Sequence, residues 1–445
     1  MKQILTLLAI TVIVIFGCQK VELQSIDAVN AVGDDGDDAK DLSSYMMPLS
    51  DNLAAIPQDP NNPLTPDKVA LGKLLFHETR LSINPKSMAG LQTYSCASCH
   101  HAEAGFQSGL SQGIGEGGTG FGFKGEARIP SLLYDTNDID VQPIRSPSVM
   151  NSAYQQVMLW GGGFGSKGVN AGTEYAWTTG TVLEANNLGY EGLESLSIGG
   201  LTKHRLVPDT VFLAADPTYK NLYDLAFPEV PEEQRVSSIT TGLAIAAYQR
   251  TILANNSPFQ RWLRGDRKAM TGDEKAGRKI FFDKGKCGSC HNSPALNSTT
   301  FYALGMADMA EGVNGAIDIP NNPLEDKGRG GFTLRDSDLY RFKTPQLYNL
   351  KDVKFFGHGG TFKSVEEVIR YKNAGISENP NVGPGRLAKQ FKPLGLTETE
   401  ISQLVKFIEN ALYDPTLTRY SPSGVPSGNC IPNNDTQSKA DRGCL

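Results

Sequence analysis

The sequence predicts a mostly α-helical protein in which one helical unit occurs twice, the copies joined by long loops. Three observations predict this. Cys-x-x-Cys-His stands at 96–100 and again at 287–291. Each copy follows a similar stretch, "TPDKVALGKLLFHETRLS" at 65–82 and "TGDEKAGRKIFFDKGK" at 271–286. No segment shows the sustained two-residue alternation of a strand.

Taken in order, the chain opens on a targeting segment. Met1-Lys2 gives a positive start, and "ILTLLAITVIVIF" is an apolar run of 13 residues, short of the roughly 20 that a spanning helix needs. It ends in "IFGC", which resembles a bacterial lipoprotein signal, with Cys18 as the lipidated first residue of the mature chain. A plain signal peptide with an incidental cysteine is the alternative. Either form exports the protein to an oxidising compartment; the lipid anchor at Cys18 would hold it in the periplasm on a bacterial outer membrane. After the signal (1–18), residues 19–62 read as an acidic linker, with the run "DAVNAVGDDGDDAKD" at 27–41 poor in large apolar groups.

The two repeated stretches are helices with legible starts. Thr65 is a cap followed by Pro66 at the first helical position, and Thr271 with Glu274 forms a capping box. Both then run through a glycine to a phenylalanine, as Gly-Lys-Leu-Leu-Phe and Gly-Arg-Lys-Ile-Phe. A third helix lies in "LTETEISQLVKFIENALYD", capped by Thr397 and Glu400. Ile401, Leu404, Val405, Ile408 and Leu412 form one apolar, core-building face. Between them lie Gly-rich loops such as 113–125 and 160–168. None is followed by Gly-Lys-Ser/Thr, so they are not phosphate loops. The domain reading is 63–255 and 256–420, with a tail at 421–445 in which Cys430 and Cys444 are either a disulfide or two free thiols.

Composition bounds the function. A net charge of −6 with 42 basic residues in no long run gives no sign of nucleic-acid binding. Cys-x-x-Cys-His is the attachment signal for c-type haem. Two thiols make thioethers to the porphyrin, and the adjacent His reaches the iron. Cysteines at i and i+3 share a helix face, which suits that task. Zinc would not need a His directly after each pair, and a thioredoxin-like pair would need a βαβ setting. Cys96, Cys99, Cys287 and Cys290 are therefore the attachment residues of two haems, and His100 and His291 the proximal iron ligands. His101 points elsewhere, either behind the ligand or into solvent.

Further motifs carry a family resemblance. "LGKLLFHETRLS…CASCH", "RSPSVMNSAYQQVMLWGGG" (145–163), "CGSCHNSPALNSTTFYALG" and "RFKTPQLYNLKDVKFFGHGGTFKSVEEVIRYKNAG" (341–375) resemble, in order, the bacterial diheme cytochrome c peroxidase/MauG family over about 65–415. The resemblance implies two cytochrome c-like helical domains. The N-terminal haem reacts with peroxide and the C-terminal haem takes in electrons. Trp160 matches the family tryptophan between the haems. In "VLEANNLGYEGLES", Glu194 matches the distal glutamate that shuttles a proton, and Asn186 stands where the family has glutamine. Their spacing is two residues short, which leaves Glu191 and Glu184 as competitors.

Departures from the family pattern carry expectations too. No His occurs between His101 and His204, so the first iron should be open at rest, as in MauG-type members. "WGGG" lacks the family's Asp and Arg. Arg145 replaces the Asn that helps hold a calcium, leaving Val353 and Phe355 carbonyls and putting calcium in doubt. Fourteen residues after His358, where peroxidases carry Met and MauG types Tyr, stands Lys372. A desolvated, neutral Lys amine can ligate iron; Tyr371 and Met306 are the other candidates, and a solvent-facing Lys372 is the bland reading.

The leading expectation is a diheme cytochrome c peroxidase that reduces hydrogen peroxide to water with electrons from a small cytochrome c or cupredoxin-like donor. The alternatives are a MauG-like oxidase acting on a protein or organic substrate, and a non-catalytic electron-transfer cytochrome. An open first iron weighs against the last, since carriers keep both axial positions filled.

Overall fold

The helices start where the caps place them. The computed structural model describes residues 41–444. Thr65 accepts the Lys68 N–H and opens α1 (Pro66–His77). After a long loop region come α2 (Gly192–Lys203), α3 (Thr210–Ala215), α4 (Pro217–Ala226) and α5 (Ser238–Thr251). α6 (Pro258–Leu263) leads to α7 (Gly272–Phe282), which carries the Thr271/Glu274 capping box. Then follow α8 (Arg329–Thr333), α9 (Val365–Ala374) and α10 (Glu398–Lys406), the last with the Thr397/Glu400 box and a π turn at Phe407–Ala411. α11 (Thr436–Arg442) closes the chain. Among the described residues the strands form two antiparallel pairs, β1 (Gly118–Thr119) with β2 (Ile129–Pro130) and β3 (Phe301–Tyr302) with β4 (Phe342–Lys343).

The duplication is visible in the packing. α1 and α2 pack on α5, and α7 and α9 pack on α10. In both groups the repeated glycine is the crossing point. A Cβ on Gly72 would lie 1.8 Å from the Ala244 carbonyl oxygen, and one on Gly277 would lie 2.0 Å from that of Gln403. Only a residue without a side chain lets the two backbones approach this closely. One turn on, Leu75 and Phe76 in α1, and Ile280 and Phe281 in α7, are buried at equivalent places. One core cluster runs through both groups, and the described residues from 42 onward form one compact unit.

Two segments differ from the sequence reading. The predicted signal (1–18) and residues 19–40 of the predicted linker lie outside the described residues. Residues 42–62 are not a solvated linker. Leu42, Met47 and Ile56 are buried, the Met47 N–H donates to Gln260 Oε1 at 2.8 Å, and Asp59 and Asn62 are fully buried. The physical reason is that the acidic run ends at 41 and apolar anchors begin. The tail also folds back. Cys430 and Cys444 form a disulfide, and Asp435 accepts from Thr119 Oγ1 and the Gly120 N–H, both at 3.0 Å.

Candidate functional site

The second Cys pair sits on a single tight turn. Lys286, with φ +53°, reverses the chain into a 3₁₀ turn at Cys287–Ser289, and the His291 N–H donates to the Cys287 carbonyl at 2.9 Å. The expected α-helical pairing of cysteines is thus realised in 3₁₀ form at both motifs, where positions i and i+3 eclipse on one face. Both thiols are free. His291 Nδ1 donates to the Leu296 carbonyl at 2.6 Å, which fixes the tautomer and leaves Nε2 for a metal.

This turn forms one wall of a cavity of about 530 Å³, within the roughly 300–1,000 Å³ of small-molecule and cofactor sites. Phe281, Phe356, Ile369, Leu404 and Ile408 give it an apolar lining. Two free thiols, a His with one free nitrogen and a large apolar chamber are what a covalently held haem requires, so the residues fit the group.

The structure separates the three candidates for the second axial position. Lys372 lines the cavity, where burial pushes its ammonium down to about 8; the nearby Cys290 and Cys287 pull in the other direction. Met306 also lines it. Tyr371 does not. Its hydroxyl donates to the Leu304 carbonyl at 2.6 Å, and its ring packs against Phe362 and Phe391. Adjacent helix positions point about 100° apart, so α9 can present only one of 371 and 372 to the cavity.

The first motif is tightly enclosed. Burial pushes the Cys96 and Cys99 thiols up to about 12 and His100 down to about 4. His100 stands directly after two free thiols, the donor set that a covalently held haem requires. The tail helps enclose the turn, as Ser95 Oγ donates to the Pro432 carbonyl at 3.0 Å. His101 is buried rather than solvent-facing. Its Nε2 lies 2.9 Å from the Lys124 carbonyl oxygen, and its ring meets Phe121 edge-on.

Glu194 is fully buried on the first turn of α2. Arg250 of α5 clamps it, Nε to Oε1 at 2.8 Å and Nη2 to Oε2 at 2.6 Å, and Asn62 Nδ2 adds a longer contact at 3.4 Å. Glu191, the residue before α2, reaches the same guanidinium at 3.0 Å but keeps 26% of its side chain exposed. Glu184 is exposed and accepts the Gly180 N–H. Asn186 is buried with both ends of its amide engaged: Oδ1 accepts the Gly165 N–H at 2.8 Å and Nδ2 donates to the Gly163 carbonyl at 2.9 Å. It pins the loop that follows Trp160.

Trp160 lines the cavity. Its indole N–H donates to the Arg145 carbonyl at 2.7 Å and its own carbonyl accepts the Lys343 N–H at 2.8 Å. Its ring lies 6.4 Å from that of His358, edge to face. His358 stacks on Phe342, and its Nε2 lies 2.9 Å from Asp308 Oδ1. The Arg145 guanidinium donates to Gln107 Oε1 at 2.8 Å and the Leu110 carbonyl at 2.9 Å.

Sequence reasoning missed several partners. Arg250, a lone charge within "LAIAAYQRTILA", had a signal, because a buried helix tolerates a cation only where an anion meets it. His204 is another. Burial works against its protonation, yet Asp140 at 2.8 Å prevails and holds its pKa above the ordinary value. Its charge in turn acts on His100. Only folding brings these together.

A family profile described as di-haem cytochrome c peroxidase matches residues 66–268. The cytochrome-c peroxidase IdrP1 of Denitromonas iodatirespirans is 30% identical over 384 residues, covering 80% of this chain and 84% of that protein. The chain belongs to the di-haem cytochrome c peroxidase family. The methylamine utilization protein MauG of Methylorubrum extorquens is 28% identical, covering 81% of this chain and 82% of its own. In architecture the chain resembles a MauG-like protein associated with microbial copper homeostasis, with a TM-score of 0.55 at 23% identity, covering 85% of this chain and 96% of the other. This family member is a peroxidase-type oxidoreductase with two c-type haems.

Proposed function

We propose that the protein reduces hydrogen peroxide to two waters, taking two electrons from a small extracytoplasmic redox protein and two protons. The observation that carries this is the His-free interval 102–203 after the first attachment turn, which leaves the first iron without a histidine ligand from that loop. His204, the next histidine in the chain, is tied to Asp140. When bound, the haems supply the iron that peroxide meets and the store for incoming electrons. The chain's residues do the rest. Glu194 is the proposed proton carrier, and the two hydrogen bonds from Arg250 fix the direction of its carboxylate. Asn186 acts as a positioning residue through the 163–165 loop, and Trp160 bridges the two haem sites as an aromatic relay. Export is supported by the signal pattern and by the Cys430–Cys444 disulfide. Anchoring through Cys18 and the domain division at 255/256 belong to the same proposal.

The test is to mix fully oxidised holoprotein with peroxide, without prior reduction. A high-spin component in the resting spectrum is expected, and peroxide should bleach it within the mixing experiment. Two low-spin haems that ignore peroxide would mark a plain electron carrier. A protein that reacts only after one-electron reduction would mean that a ligand blocks the first iron.

We also propose Lys372 as the ligand opposite His291. It lines the cavity and its charge acts on His291 and Cys287. Lys372→Ala should convert the second haem from low-spin to high-spin while both haems stay attached. An unchanged spectrum would move the assignment to Met306, to be checked with Met306→Leu.

The MauG-like oxidase reading keeps one observation of its own, the 28% identity to a MauG over most of both chains. Oxidation of an added organic substrate by peroxide, with no donor protein present, would favour it.

A further inference from the structure

The cavity beside Cys287 is lined by cations and by no carboxylate. Lys286, Arg145, Lys343, Lys372, Lys389 and Lys392 all contribute to its wall, and no Asp or Glu does. Two of these are deeply buried away from the rim, Arg145 at 3% and Lys343 at 6% exposure. Some buried cations of the fold meet anions, as Arg250 meets Glu194 and Glu191 and Arg128 meets Asp435, whereas Arg329 meets only carbonyl and amide oxygens of the 161–170 loop. The side chains of Arg145 and Lys343 hydrogen-bond to amide and carbonyl oxygens, Gln107 and Leu110 for one and Gln155 for the other, and Arg145 also faces the Phe355 ring at 6.0 Å. Those hydrogen bonds use two of the five guanidinium N–H groups and one of the three on the ammonium. Desolvation holds both below their ordinary pKa values, to about 10 and about 8, with no anion acting in the opposite sense. A buried cation with unused donors is costly unless an anion completes it, and the remaining donors belong to residues that line this chamber.

We propose that Lys343 and Arg145 are the carboxylate-binding pair of this chamber and receive the two propionates of the second haem, turning its propionate edge toward Trp160. The inference rests on the reading that the second haem occupies this cavity. Its direction follows from covalent geometry. The vinyl groups that react with Cys287 and Cys290 and the two propionates lie on opposite halves of a porphyrin. The cation acting on Cys287 is Lys372. Lys343 and Arg145 instead bracket Trp160, one donating its backbone N–H to the Trp160 carbonyl and the other accepting the indole N–H. The carboxylate clamp and the proposed relay thus share one frame: the backbones of these two residues hold the tryptophan and their side chains would hold the haem.

The experiment uses holoprotein, its Lys343→Gln, Lys343→Arg and Arg145→Gln variants, resonance Raman spectra of the propionate bending bands, and a redox titration of each haem. Lys343→Gln and Arg145→Gln should each shift one propionate band and lower the potential of the second haem, because a nearby cation favours the reduced, less positive form. Lys343→Arg should keep both, and the first haem's potential should stay at the parental value. Lys343→Gln protein with two haems attached, unshifted bands and an unchanged second potential overturns the proposal. Should the Gln variants fail to fold, the parent decides the matter: exchange into D2O must shift the propionate bands if N–H donors hold them, and no shift overturns the clamp. Haem staining that finds one attached haem in the parent overturns the underlying cavity reading instead, so the two failures are distinguishable.

Discussion

Glu194→Gln is expected to slow peroxide turnover by about 10²–10⁴-fold, the range over which a positioned acid–base group contributes. The amide keeps the size of the carboxylate and loses its capacity to take a proton. The same change has a second consequence that the tertiary structure dictates. Glu194 is the fully buried partner of the fully buried Arg250, and removing one member of such a pair typically costs about 3–5 kcal/mol because the other charge is left uncompensated. The residual contact to Glu191 at 3.0 Å moderates that loss. Thermal melts therefore accompany the rate measurement, and turnover is expressed per folded, doubly loaded molecule. A purely structural Glu194 would lower the melting temperature while leaving that normalised rate at the parental value. Glu191→Gln is the control. It removes one rim contact of Arg250, and peroxide bleaching should survive. Equal turnover in both variants and the parent would falsify the acid–base assignment.

Cys287→Ala and Cys96→Ala are expected to reduce covalently bound haem from two per chain to one each, read by haem staining of denaturing gels and by total absorbance. Each turn offers two free thiols, and the remaining cysteines among the described residues, Cys430 and Cys444, are paired with each other. The effects of the two variants should differ in stability. Loss at Cys287 empties a cavity of about 530 Å³ and leaves Lys372, Lys343 and Arg145 facing it without an anion. The first turn has the tail strapped across it, with Ser95 Oγ donating to the Pro432 carbonyl. Cys287→Ala should lower the melting temperature of the α7–α10 half in particular. Full haem stoichiometry in either variant would remove that turn from the attachment sites.

Much of this protein was written locally. Thr65 with Pro66, and the boxes Thr271/Glu274 and Thr397/Glu400, announced three helix starts, because capping depends on residues within one turn of each other. The two attachment turns were equally legible, as the chemistry needs two thiols and a His at fixed short spacing. Even the crossing glycines Gly72 and Gly277 appeared in the duplicated pattern, though the carbonyls they admit come from helices 172 and 126 residues further on, at Ala244 and Gln403. The choice between Lys372 and Tyr371 was not legible, since neighbours in sequence diverge only when α9 is laid against its cavity. The clamp of Arg250 on Glu194, the burial of 42–62 and the absence of any carboxylate from the chamber wall were likewise decided by long-range packing. A cation's partner is set by which elements meet in space, and desolvation acts only once they have met; the sequence by itself determined the cofactor's attachment, and the tertiary structure decided the charges that surround it.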